Sequence, residues 1–285
     1  MDQVQARFIK SFTGGIIGDV YGSVFEFKEA NEIPNYESIA EIKKNHTHNV
    51  FLHEFGYFTD DTILMLCAME SFLENNTFIR SHQILSMGKY IDEGKWTRDG
   101  KCFDIGFATS DAYRRETARP DSYVAYLIPP NTGGNGILMK MAPYAYYSLN
   151  RVLEEQKDAY YKSIVAMSHG SIAYESAIAM GRMLEDIYSG KEADVSNYTI
   201  SDTSKDALGF CNGSWNLALH YYNLIKDNNC SPEEGMMRII KHGGDTDTNA
   251  CILGQLIGGQ MNTELYDYAY KPEVDKLVEQ FVAHF

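Results

Sequence analysis

The sequence predicts an all-α fold, and three observations carry that expectation. Apolar residues recur at spacings of three and four through most of the chain, alternating apolar–polar runs are scarce, and no Pro/Gly/Ser-rich linker interrupts the pattern. With 285 residues, 44% of them hydrophobic, the chain can bury a substantial core. It reads as a single domain over residues 1–285, without internal repeats or low-complexity tracts.

Taken in order, the first element is marked by Gly14, Gly18 and Gly22, four residues apart on a helix that leads into Ser23-Val24-Phe25-Glu26-Phe27. A glycine inside a helix costs roughly 1 kcal/mol relative to alanine. A line of three therefore points to close approach of another helix, the commoner reason, or of a ligand. The polar stretch 28–49 reads as a surface connection, and Asn49–Phe58 is the best strand-like piece. Residues 62–73 are apolar almost all round, which places that helix centrally in the core. The stretch 92–101 is another connection, and 136–147 reads as helix. From Ser171 to Tyr188, Ile172, Ser176, Met180, Leu184 and Ile187 mark one face; 189–206 then connects to helices over 204–226 and 248–261. The last helix shows its apolar face through Val274, Leu277, Val278, Phe281, Val282 and Phe285.

Composition narrows the function. A formal net charge of −14 repels nucleic acid, whose binding requires lysine and arginine against phosphate. It also repels phosphorylated small molecules unless a metal or a helix N-terminus supplies local positive potential. The most apolar early stretch, Phe12–Phe27, carries Asp19 and Glu26 and makes a poor membrane span. No signal peptide is evident, and the five scattered cysteines fit free thiols in a reducing compartment. A cytoplasmic protein without membrane association is expected, a monomer by default.

Two acidic motifs stand at the starts of core helices: Thr59-Asp60-Asp61-Thr62, and Gly243-Gly244-Asp245-Thr246-Asp247-Thr248. Helix capping explains one acidic residue at each helix, but not two carboxylates with flanking hydroxyls, twice. Carboxylates gathered near a core repel one another and resist desolvation unless a cation neutralises them. Oxygen ligands without nearby cysteine or histidine favour Mg²⁺ or Mn²⁺ over zinc. Glu26, between two phenylalanines, is either a surface residue or a carboxylate with the raised pKa that a general acid or base needs near neutrality.

Together these pieces resemble the ADP-ribosylglycohydrolase family over nearly the whole chain. The likeness runs through GGIIGDVYGSVFEF (14–27), GYFTDDT (56–62), the tract from Trp96 to Asp104-Ile105-Gly106, GGNGILMKMAP (133–143), SHGSIAYESA (168–177) and GGDTDTNACILGQLIGG (243–259). The resemblance implies an orthogonal helical bundle and a site for two Mg²⁺ ions, with Mn²⁺ as a substitute. The implied metal ligands are Thr59, Asp60 and Asp61 on one side and Asp245, Asp247 and Thr248 on the other. By the same resemblance Glu26 stands beside the ribose and carries the leading catalytic role, with Asp104 second. Gly133, Gly134, Asn135, Gly136 and His169 would hold the diphosphate and distal ribose. Read alone, His169 is more simply a core histidine and Asp104 an N-cap of the following helix.

There are departures from the family pattern. Lys140 stands where arginine is usual, keeping charge but losing bidentate phosphate recognition; Phe55 replaces a common proline, and Asn212 a common acidic residue. The implied activity is removal of ADP-ribose from a modified protein or small molecule by hydrolysis at the anomeric carbon, with Asp104-Ile105-Gly106 favouring an arginine linkage. Two rival readings share the motifs. One is an ADP-ribose-binding or toxin-neutralising protein without turnover, for which residues 28–49, with His46 and His48, could offer a partner surface. The other is a two-metal phosphoesterase.

Overall fold

A computed structural model describes residues 2–36, 38–118, 128–202 and 209–285. Within them the regular elements are helices: α1 (Gln3–Gly22), α2 (Ile39–Asn45), α3 (Asp60–Asn75), α4 (Arg80–Ser86), α5 (Gly88–Ile91), α6 (Phe107–Ala118) and α7 (Met141–Arg151). They continue with α8 (Lys157–Val165), α9 (Tyr174–Ser189), α10 (Cys211–Lys226), α11 (Pro232–Lys241), α12 (Thr246–Ile257) and α13 (Lys271–His284), joined by short 3-10 segments. No described helix is long and apolar enough to cross a membrane.

α1 and α12 form the axis of the structure and pack along most of their length. The glycines explain how. A Cβ on Gly18 would lie 2.1 Å from the Ala250 carbonyl oxygen, and one on Gly14 would lie 2.2 Å from that of Gly254. The glycine line is thus a helix-packing face. α3 is buried over Asp60–Phe72 and packs against α4, α7 and α13, as its all-round apolarity requires. Aromatic contacts fill the far end of the core, with Phe72 stacked on Tyr147 at 4.5 Å and Phe8 at 4.5 Å from Tyr146.

Several boundaries differ from the sequence expectation. Asn49–Phe58 forms no strand; a single bridge joins His48 to Glu54. The Asn49 side-chain oxygen accepts hydrogen bonds from Phe51 N and His53 N, both at 3.1 Å, and Leu52 takes a left-handed φ of 63°, so the segment folds back as a turn. The helix expected over 136–147 begins at Met141 and runs to Arg151. Residues 135–137 make only a 3-10 turn, because Asn135 N is drawn to the Gly209 carbonyl. α9 is likewise preceded by a 3-10 turn over Ser171–Ala173, and α12 ends at Ile257 before another at Gly258–Gln260. α10 begins at Cys211; residues 204–208 of that expected helix lie outside the described residues. The connection 28–49 holds the short helix α2.

Candidate functional site

The close α1–α12 contact sets the start of α12 beside the end of α1, where Thr246 Oγ1 donates to the Gly22 carbonyl at 2.7 Å. The start of α3 joins them through Asp19. This carboxylate, fully buried on α1, accepts hydrogen bonds from Thr59 N, Thr59 Oγ1, Thr62 N and Thr62 Oγ1 at 2.6–3.1 Å. Asp19 therefore fixes where α3 begins, although sequence reasoning assigned it no role. The available signal was a carboxylate lying between Gly18 and Gly22 on a helix face that must be buried.

Two acidic motifs far apart in sequence meet at this junction. Thr59 Oγ1 lies 3.3 Å from Asp61 Oδ2 and 3.4 Å from Asp247 Oδ2, and Thr248 Oγ1 lies 3.3 Å from Asp61 Oδ2. Asp60 accepts from Gly106 N at 3.4 Å and shares a hydrogen bond with Asp104. Asp245 accepts from Asn135 Nδ2 at 2.8 Å. Neither Thr59 nor Asp245, the N-cap residues of α3 and α12, makes a side-chain capping bond. Capping is thus not what these motifs do; their oxygens face one another.

Such crowding is costly. Burial pushes the carboxyls of Asp19 and Asp60 up to about 6, and those of Asp61 and Asp247 well above the ordinary carboxylate range, with neighbouring carboxylates adding to the shift for Asp61 and Asp247. Glu26 is buried and raised to about 8, by burial first and then by Asp245. Asp104 is raised to about 9 by burial and by Asp60. Carboxylate oxygens of Glu26, Asp104 and Asp247 all lie within 4.8 Å of one another, a group able to hold a cation. Asp61 Oδ1 and Glu26 Oε2 are buried without a hydrogen-bond partner. An all-oxygen cluster with unsatisfied buried acceptors has the chemistry that a hard divalent cation would fit. Glu26 is therefore not a surface residue, and Asp104 is not an N-cap, since α6 starts three residues later at Phe107.

The remaining expected residues lie on an adjoining loop. Gly134 bridges to Phe210, and Gly133 O accepts from Cys211 N at 2.8 Å. A Cβ on Gly133 would strike the Phe210 ring at 2.5 Å, so this turn needs glycine. Asn135 also donates to Ser214 Oγ at 3.0 Å, which links the loop to Asp245 and α10. His169 is buried next to Gly134 and Gly136, its Nδ1 2.8 Å from Ser168 Oγ. Burial and then the charge of Lys140 lower it to about 3, which keeps the imidazole neutral. Lys140 is itself fully buried with no partner for Nζ, and burial lowers it to about 8.

The sequence model of the ADP-ribosylglycohydrolase family matches residues 1–263. The "ADP-ribosylarginine hydrolase Tri1" of Pseudomonas putida (strain GB-1) is 25% identical over 155 residues, 51% of this chain and 37% of that protein. Its namesake from Serratia proteamaculans (strain 568) is 24% identical over 137 residues, 48% of this chain and 35% of that protein, so the chain spans little more than a third of either relative. The "Putative ADP-ribosyl glycohydrolase L543" of Acanthamoeba polyphaga mimivirus aligns over 90% of this chain and 87% of its own length at 23% identity. A solved structure titled "ADP-ribosylglycohydrolase-related protein complex" superposes with a TM-score of 0.75 at 21% identity, covering 100% of this chain and 99% of that one, and so shares the fold. With the family match extending across both acidic motifs, the glycine-spaced helix and the Asn-Gly loop, the chain belongs to the ADP-ribosylglycohydrolase family.

Proposed function

We propose that the chain is a divalent-metal-dependent hydrolase that releases ADP-ribose from modified side chains, with the arginine linkage preferred. The observation that carries this reading is the meeting of the α3 and α12 motifs with Glu26 and Asp104 in one buried carboxylate cluster. Thr59, Asp60, Asp61, Asp245, Asp247 and Thr248 are the proposed ligands of two Mg²⁺ ions, which Mn²⁺ could replace. Bound there, divalent cations supply positive charge for ribose hydroxyls and an activated water.

The chain's own residues divide the remaining work. Gly133–Gly136 and the neutral His169 form the wall against which the diphosphate and distal ribose would lie. Cleavage at the anomeric carbon builds positive charge on the ribose ring oxygen, which nearby carboxylates stabilise. Glu26, whose carboxyl is raised by burial in the metal-free protein, stands among the ligands, where it can pass a proton to the departing group. Asp104 is the second proton carrier, next to Asp60. The names of the two bacterial relatives support an arginine-linked substrate.

The test offers the protein one peptide ADP-ribosylated on arginine and another on serine, with Mg²⁺ and then with EDTA. Mg²⁺-dependent release of intact ADP-ribose from the arginine peptide is expected. Tight ADP-ribose binding without release would favour a binding module, and release of AMP would favour a phosphoesterase; either would overturn the proposal.

A further inference from the structure

Three aromatic rings span the two acid–base candidates. Phe27 directly follows Glu26, Phe103 directly precedes Asp104, and Phe51 lies between them. The Phe27 and Phe51 ring centroids are 6.4 Å apart and nearly perpendicular; those of Phe51 and Phe103 are 5.3 Å apart. His53 packs on Phe103 at 4.2 Å, and Leu52 is 81% exposed beside Phe51.

A single exposed phenylalanine on a protein surface needs no explanation. Phe27 differs because of its backbone. It is 72% exposed yet held in the left-handed region at φ 65°, where a bulky side chain is an outlier that glycine or asparagine would avoid. Its N–H donates to the Gly244 carbonyl at 2.8 Å, one residue from Asp245. The strained conformation is thus anchored to the α12 motif, with the ring left in solvent. Leu52, at φ 63°, repeats the combination of left-handed backbone and exposed apolar side chain. Phe27 is thereby tied through its backbone to the motif that opens α12.

Its charge setting selects an occupant. Ring faces carry negative potential, and the arc is joined along the chain to Glu26 through Phe27 and to Asp104 through Phe103. The chain as a whole carries −14. Burial lowers the neighbouring His53, so it adds no opposing charge at neutral pH. A flat cation that stacks on aromatic faces is a guanidinium. The anionic diphosphate end of the substrate has no such match here.

We infer that the arc of Phe27, Phe51 and Phe103 receives the guanidinium of the arginine from which ADP-ribose is released, and so sets leaving-group specificity. This rests on the functional reading above and adds to it a set of residues that acts on the leaving group alone.

The experiment measures kcat/KM on the arginine-linked peptide and the Kd for free ADP-ribose, both with Mg²⁺, in wild type, Phe27→Leu, Phe27→Tyr and Phe51→Leu. Leucine keeps apolar area but lacks the ring face. Phe27→Leu and Phe51→Leu should each lower kcat/KM about tenfold, in the range of a desolvated cation–π contact. Phe27→Tyr should stay close to wild type, and the Kd for ADP-ribose should not move. Phe27 is exposed, so its variants pose little risk to folding. Wild-type kcat/KM in both leucine variants would overturn the inference, as would a parallel loss of ADP-ribose affinity, which would give the arc to the nucleotide. Absence of release by the wild type would instead overturn the functional reading itself, and this inference with it.

Discussion

Asp19 receives hydrogen bonds from two backbone amides and two hydroxyls, and its burial leaves no water to replace them. An asparagine there would turn an NH₂ group toward some of these donors and leave buried partners unpaired. Because Thr59 touches Asp61 and Asp247 as well, the disturbance reaches the proposed metal ligands. Asp19→Asn should weaken Mg²⁺ binding about 10- to 100-fold, the usual cost of losing a partner that orients ligands. Calorimetric titration checks this; unchanged affinity would remove Asp19 from the positioning role. The residues differ in how plainly sequence reveals them. Asp60, Asp61, Asp245 and Asp247 stand out because carboxylates in pairs exceed what a helix start requires. Glu26 stands out between two phenylalanines. Asp19 is hidden because a lone aspartate in a helix resembles a surface residue until the burial of that face is known. Phe27 is hidden because no sequence pattern discloses a left-handed backbone at a phenylalanine.

At the level of elements, the contact between α1 and α12 fixes the geometry of the site. Gly→Ala at an ordinary helix position gains roughly 1 kcal/mol of helix propensity. At Gly18 the new Cβ would sit 2.1 Å from the Ala250 carbonyl oxygen, backbone that moves only if the helices separate. Overpacking costs about 1–3 kcal/mol or more. Gly18→Ala should therefore be a net loss, lowering Tm by several degrees in a thermal melt. A raised Tm would contradict the close approach. The spacing of those glycines was readable from sequence, and helix packing, the commoner of its two readings, is what the α12 backbone against Gly14 and Gly18 bears out. Buried helices such as α3 and amphipathic ones such as α13 were legible because periodicity records burial directly. The turn at Asn49–His53 and the delayed start of α7 were not, since side-chain and long-range hydrogen bonds decide them.

For the whole molecule, the cluster trades stability for function. Asp19 and Asp60 at about 6, Glu26 at about 8 and Asp104 at about 9 all lie above the values these groups take in an unfolded chain. The folded chain then binds protons that the unfolded chain releases. The resulting stability is fully present below about pH 4 and is lost as pH rises toward about 9. Without metal, the protein should be weakest where the carboxylates ionise together. Asp247 lies at the centre of the cluster, in reach of Thr59 and grouped with Glu26 and Asp104. The most direct measurement is therefore ADP-ribose release from the arginine-linked peptide by Asp247→Ala, beside wild type, with the Tm of both metal-free proteins taken at about pH 8. The expected result is a folded variant with a Tm at or above that of wild type, since one repelling carboxylate is gone, and no Mg²⁺-dependent release. Full release by a folded Asp247→Ala protein would contradict the metal-site assignment on which the proposed function stands.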